Sequence, residues 1–81
     1  MDSDKKGVKR KPSNMLLSVL AKNVKQIREA RGLTQEVLGE ACDLHPTFIS
    51  LIECKQRNVT ISTLEIIADA LDVEVYELIQ K

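Results

Sequence analysis

Eighty-one residues, 43% hydrophobic and 30% charged, describe one small globular domain and leave no length for a separate catalytic or effector-binding domain. Trp is absent and Tyr and Phe occur once each, so the core is expected to be aliphatic; a domain this short buries only about 60% of its unfolded surface, which makes support from a partner subunit useful. Net charge is zero, but residues 1–34 carry nine Lys/Arg against three acids and residues 35–81 carry three against nine, either a basic pole for a polyanion or merely solvated blocks.

Residues 1–13 are rich in Lys and Arg, nearly free of apolar side chains and include Pro12, and they are expected to form a flexible basic tail before a single domain at 14–81. The apolar run at 15–21 is about a third of the ~20 residues a membrane span needs, and no small-residue cleavage site follows it. No membrane partner is expected, and the chain is read as cytoplasmic. Leu16, Leu20, Val24 and Ile27 then recur at helical spacing, with Ser13 or Asn14 available as cap and Gly32 as terminator of a first helix.

Thr34 is placed to cap a short second helix over 35–42, with Glu36 in its first turn and Val37, Leu38 and Ala41 as its buried face. A tight turn over Asp43, Leu44 and His45 leads to Pro46, whose fixed φ and missing N–H suit the first position of a third helix reaching about Cys54, with Ile49 and Ile52 inward. Residues 55–59 lack periodicity and read as a loop. Thr60 caps a fourth helix carrying Ile61, Leu64, Ile67, Ala68 and Leu71, with Glu65, Asp69 and Asp72 on its solvent face. Glu74 and Glu77 mark the start of a fifth, marginal helix. Its Val75, Tyr76, Leu78 and Ile79 are more apolar surface than one short helix can bury alone. No alternating strand pattern occurs, so the fold class is all-α, a compact five-helix bundle.

Two short helices joined by a three-residue turn are the pattern of a helix-turn-helix, at about 35–54 here. Counted from Gln35, the fourth, eighth, tenth, fifteenth and eighteenth residues are Leu38, Cys42, Leu44, Ile49 and Ile52, all apolar. The fifth is Gly39, small where two crossing helices exclude a longer side chain.

With Ile27 to Gln35, Leu44 to Glu53, Arg57 to Ile61 and Leu64 to Val73, the chain resembles the XRE family of helix-turn-helix regulators, which includes phage lambda repressor and Cro. The likeness runs over roughly residues 20–80, and the length and the Arg57-Asn58 loop resemble the stand-alone controller proteins of restriction-modification systems. It implies a lambda-repressor-like fold with an ion pair between Arg28 and Glu53, and a sequence-specific transcriptional regulator, repressor or activator, binding double-stranded DNA at an inverted repeat. It also implies that Gln35 bonds a phosphate or a neighbouring side chain. The outward residues of the third helix would be His45, Pro46, Thr47 and Leu51, with Ser50 near the backbone. Pro46 has no group to read a base, which leaves Thr47, His45 and apolar contact of Leu51 with a thymine methyl. Asp43 stands where glycine is usual and is tolerated because Asp visits left-handed geometry.

Bland alternatives stand beside these readings. His45 can simply start a helix at an exposed turn; Lys55 and Arg57 can be plain surface charges, although their place after the third helix suits phosphate contact. The candidate DNA-binding set is Gln35, His45, Thr47, Ser50, Leu51, Lys55, Arg57 and Asn58. The candidate homodimer surface is Val75, Tyr76, Leu78 and Ile79, with Leu17 and Val19 as the competing site. One His, no Gly-rich phosphate loop and no nucleophile–base pairing exclude a recognisable enzyme. Two cysteines without metal-ligand spacing predict no metal and no cofactor, and no small-molecule ligand is inferred. A second functional reading is a protein-interaction module of the same fold, such as an antitoxin that binds a toxin.

Overall fold

The computed structural model describes residues 15–81, and within them five helices and no strand. They are α1 (Met15–Ala30), α2 (Gln35–Cys42), α3 (Pro46–Glu53), α4 (Ile61–Leu71) and α5 (Val75–Leu78). The expected basic tail and the Ser13 or Asn14 cap lie outside the described residues.

Local chemistry sets the boundaries. Gly32, at φ +72°, ends α1, and the Thr34 hydroxyl caps α2 by accepting from the Val37 N–H at 3.0 Å. Thr60 does the same for α4 with the Thr63 N–H at 3.1 Å, and α4 stops at left-handed Asp72. At α5 the Glu74 N–H donates to the Glu77 carboxylate at 2.8 Å, the reciprocal cap expected from the sequence.

The core is Leu20, Val24, Leu38, Cys42, Ile49, Ile52, Ile67, Ala68, Leu71 and Leu78, aliphatic apart from one thiol. Helix α3 packs on α1 and α2, α4 on α2, and α5 closes the other end against α1 and α4. Two side chains, one in α1 and one just after it, tie the ends together. Asn23 donates to the carbonyls of Leu78 (3.1 Å) and Gln80 (2.7 Å), and Arg31 donates to those of Leu71 and Asp72 at the end of α4.

Several apolar residues expected inside are not. In α2 the buried arc is Leu38, Gly39 and Cys42. At roughly 100° per residue Ala41 and Val37 lie more than a right angle from the middle of that arc, and both are exposed. Leu16 in α1 and Ile61 in the first turn of α4 also face solvent. Leu17 and Val19 are half-buried.

Candidate nucleic-acid interface

The α2–α3 pair is held at close quarters by its turn. A Cβ on Gly39 would lie 2.7 Å from the Leu44 carbonyl oxygen and 3.3 Å from the Pro46 nitrogen. The excluded space is thus occupied by turn backbone, one step from the helix–helix crossing that the sequence suggested. Asp43 takes φ 57° and ψ 40°, the left-handed position its substitution for glycine implied.

Below the pair, Arg28 and Glu53 form a bidentate bridge, Nε to Oε2 at 2.7 Å and Nη2 to Oε1 at 3.0 Å. A third bond, 2.7 Å, runs from Arg28 to the Leu33 carbonyl. The Arg28 residue is 7% exposed and the Glu53 side chain 4%, so this is a buried pair. Hydrogen bonding to Glu53 outweighs the loss of water around Arg28 and raises the guanidinium pKa above its ordinary value. Glu53 Oε1 also accepts from Gln35 Nε2 at 3.0 Å, so the neighbouring side chain expected for Gln35 is Glu53. The amide keeps a second N–H. This network anchors α3 to α1 and fixes the N-terminal side chain of α2 beside it.

The outer side of α3 begins with His45, an exposed residue in extended geometry whose Nδ1 accepts from the Thr47 N–H at 3.1 Å. His45 therefore caps the helix, which is the bland reading, and remains accessible while doing so. Thr47 is exposed and Ser50 and Leu51 are half-buried along α3.

The end of α3 is a Schellman turn. The Lys55 N–H donates to the Ile52 carbonyl at 3.0 Å and the Gln56 N–H to the Leu51 carbonyl at 2.9 Å, with Lys55 left-handed at φ 64°. Arg57 then folds back so that its guanidinium carbon lies 4.9 Å from the Phe48 ring centroid, a cation–π stack. Lys55, Arg57 and Asn58 are all exposed. Phe48 escaped the sequence reading, because it and Arg57 meet across a loop that follows no fixed spacing.

At the far end of the molecule, the expected dimer surface needs one correction. Leu78 is fully buried in the chain's own core, since it is the residue α5 turns toward α1 and α4. Tyr76, 63% exposed, and Ile79, 36% exposed, remain outside, with Val75 half-buried. Among the described residues no cluster of His, Cys, Asp and Glu could hold a metal ion, and no helix is long and apolar enough to cross a membrane. Cys42 is buried and Cys54 exposed, both as free thiols.

Comparison with known proteins places this geometry. A helix-turn-helix family, HTH_3, matches residues 24–78. The control protein C.SmaI of Serratia marcescens is 46% identical over 63 residues, 78% of this chain and 75% of that protein. The crystal structure of the hypothetical transcription factor NHTF from Neisseria aligns with a TM-score of 0.78 at 36% identity, covering 89% of this chain and 84% of that one. That of the restriction-modification controller protein C.AhdI from Aeromonas hydrophila gives 0.74 at 34% identity over 76% of this chain and 94% of the other.

Proposed function

The chain belongs to the helix-turn-helix family HTH_3, and from that premise we propose that it is a sequence-specific transcriptional regulator of the controller type that binds an inverted-repeat operator in double-stranded DNA as a homodimer. The observation that carries the reading is the outer side of α3. Thr47 and Leu51 lie along it, His45 stands at its start, and exposed Lys55 and Arg57 follow its end.

The roles follow from the chemistry. The Thr47 hydroxyl reads a base edge and Leu51 packs on a thymine methyl, with Ser50 close to the sugar-phosphate backbone. Lys55, Arg57 and Asn58 take phosphates, Arg57 with its guanidinium held in place by Phe48. Gln35 gives its second amide hydrogen to a phosphate while the first holds Glu53. Residues 14–81 form the DNA-binding domain. Tyr76 and Ile79, flanked by Val75, pair with their copies about a two-fold axis and set two recognition helices about 34 Å apart, one turn of B-DNA. Acidic Glu65, Asp69, Asp72, Glu74 and Glu77 keep this end away from phosphates.

The test is duplex binding by fluorescence anisotropy over a series of salt concentrations, beside sedimentation. Affinity should fall steeply with salt, by roughly 0.9 in the log–log slope for each phosphate neutralised. Thr47→Ala should relax preference at one base pair while Arg57→Ala weakens all duplexes alike. Tyr76→Asp with Ile79→Asp should give a folded monomer with much weaker operator binding. Salt-independent or absent duplex binding would refute the proposal, and an intact dimer in the double variant would refute its interface.

A further inference from the structure

The first turn of α3 offers no free helical N–H. Its first residue is Pro46, which has none; the Thr47 N–H is given to the His45 imidazole Nδ1 at 3.1 Å, and the Phe48 N–H to the His45 carbonyl at 2.9 Å. Helix N-termini in DNA-binding proteins commonly give these groups to phosphates. In this chain they are consumed internally, and both go to one residue.

An aspartate cap would stop there, because a carboxylate only accepts, and a serine or threonine cap keeps a single hydroxyl hydrogen on a side chain too short to reach as far from the helix end as an imidazole. The imidazole is different. With its Nδ1 lone pair committed to Thr47, a neutral ring must carry its proton on Nε2, on the other side of an exposed side chain. The bond from Thr47 comes from the positive end of the helix and polarises the ring, which strengthens the Nε2–H as a donor.

We infer that His45 is a specificity-determining residue of fixed polarity, its Nε2–H donating to a hydrogen-bond acceptor on the DNA at the start of α3. This rests on the DNA-binding reading above. The acceptor is purine N7, guanine O6 or thymine O4 in the major groove, or a phosphate oxygen; the cytosine amine, itself a donor, is a poor partner at that position. Because Pro46 presents no polar group, the start of α3 reads DNA through His45 and the Thr47 hydroxyl alone.

Two measurements test it. In the free protein, a long-range proton–nitrogen correlation spectrum of the neutral imidazole should show Nε2 protonated and Nδ1 bare; the opposite tautomer overturns the inference whatever the DNA results. Next, the tightest duplex that the wild-type protein selects from a random library is titrated with wild type and His45→Ser, which keeps an N-cap oxygen but has no outward N–H. The melting temperature should hold while affinity for that duplex drops about tenfold. Replacing one purine with its 7-deaza analogue should then abolish the difference between the two proteins if the acceptor is N7, a base analogue lacking the exocyclic oxygen should do so if it is guanine O6 or thymine O4, and a single methylphosphonate should do so if it is a phosphate. Equal affinity of the two proteins for the selected duplex overturns the role of His45 and leaves the DNA-binding reading intact. Failure of the wild type to select any duplex overturns both.

Discussion

Replacing Gly39 with alanine tests the packing of α2 against α3 with a single methyl group. The new Cβ would stand 2.7 Å from the Leu44 carbonyl oxygen, 3.3 Å from the Pro46 nitrogen and 3.4 Å from its Cα, all backbone atoms of the turn. The turn cannot easily retreat, because the Leu44 N–H is bonded to the Gly39 carbonyl at 2.7 Å and the Pro46 ring fixes the next φ. Moving it aside sacrifices a hydrogen bond worth about 1 kcal/mol, and forcing an extra carbon into a packed site costs about 1 to 3 kcal/mol. Alanine's better helix propensity returns about 1 kcal/mol. The net expectation is a loss of about 1 to 3 kcal/mol, and at about 4 to 8 °C per kcal/mol for a domain of this size the melting temperature should fall by about 4 to 24 °C. Thermal unfolding followed by circular dichroism measures it. Ala41→Gly, on the exposed side of the same helix, calibrates the propensity contribution by itself, about 1 kcal/mol in the opposite exchange. If Gly39→Ala melts at or above the wild-type temperature, the close approach of the turn to α2 is not a constraint and the account of this pair is wrong.

Lys55→Gly should stabilise the fold by about 0.5 to 1 kcal/mol by relieving a left-handed residue at φ 64°, while lowering the salt slope of DNA binding by about one phosphate; urea unfolding and anisotropy read the two effects separately. Arg28→Met should cost about 3 to 5 kcal/mol because it strands the buried Glu53 carboxylate, and adding Glu53→Met in the same chain should recover most of that loss, seen as strong non-additivity in chemical denaturation. Burial pushes the Cys42 thiol pKa up, so the unfolded chain ionises first; this thiol's contribution is whole below the ordinary thiol value near about 8.5 and is lost as pH rises toward the folded value. Stability should therefore fall less over that alkaline range in Cys42→Ala, and alkylation followed by mass spectrometry should modify exposed Cys54 in the native protein but Cys42 only on unfolding.

What the sequence disclosed was the part governed by local chemistry. Thr34, Thr60 and Glu74 each mark a helix start because capping involves residues three positions apart, Gly39 was legible from the spacing of a helix-turn-helix, and the Arg28–Glu53 pair was implied only by the resemblance to the XRE family. The sequence was a poorer guide to which apolar residues turn inward. In an eight-residue helix two or three side chains suffice to fill the contact, so Val37 and Ala41 satisfy the periodicity yet lie outside the arc of Leu38, Gly39 and Cys42. Leu78 failed in the other direction: an apolar cluster on a single turn signals that something needs cover, but only the positions of α1 and α4 decide which member receives it from within. The Phe48–Arg57 stack depends on the path of a loop, and no period along the chain encodes it.

Among the described residues three non-glycine residues adopt left-handed geometry, Asp43, Lys55 and Asp72, and they do not all call for the same explanation. Asp43 ends α2 beside the recognition helix, but Asp72 ends α4 far from it with nearly the same angles, φ 59° against 57°. Proximity to the outer side of α3 therefore explains nothing about Asp43, and the ordinary tolerance of aspartate for this conformation accounts for both. Lys55 is the exception. Its long aliphatic side chain has no short polar group to bond the local backbone, and the Schellman turn it completes is the one glycine fits best. Under the DNA-binding reading the strain at position 55 has a counterpart in charge, because the exposed turn carries an ammonium group just after α3, two residues before Arg57. Separate measurements of stability and salt slope on Lys55→Gly decide between that balance and mere tolerance: a gain in stability with an unaltered slope would place Lys55 beside the two aspartates.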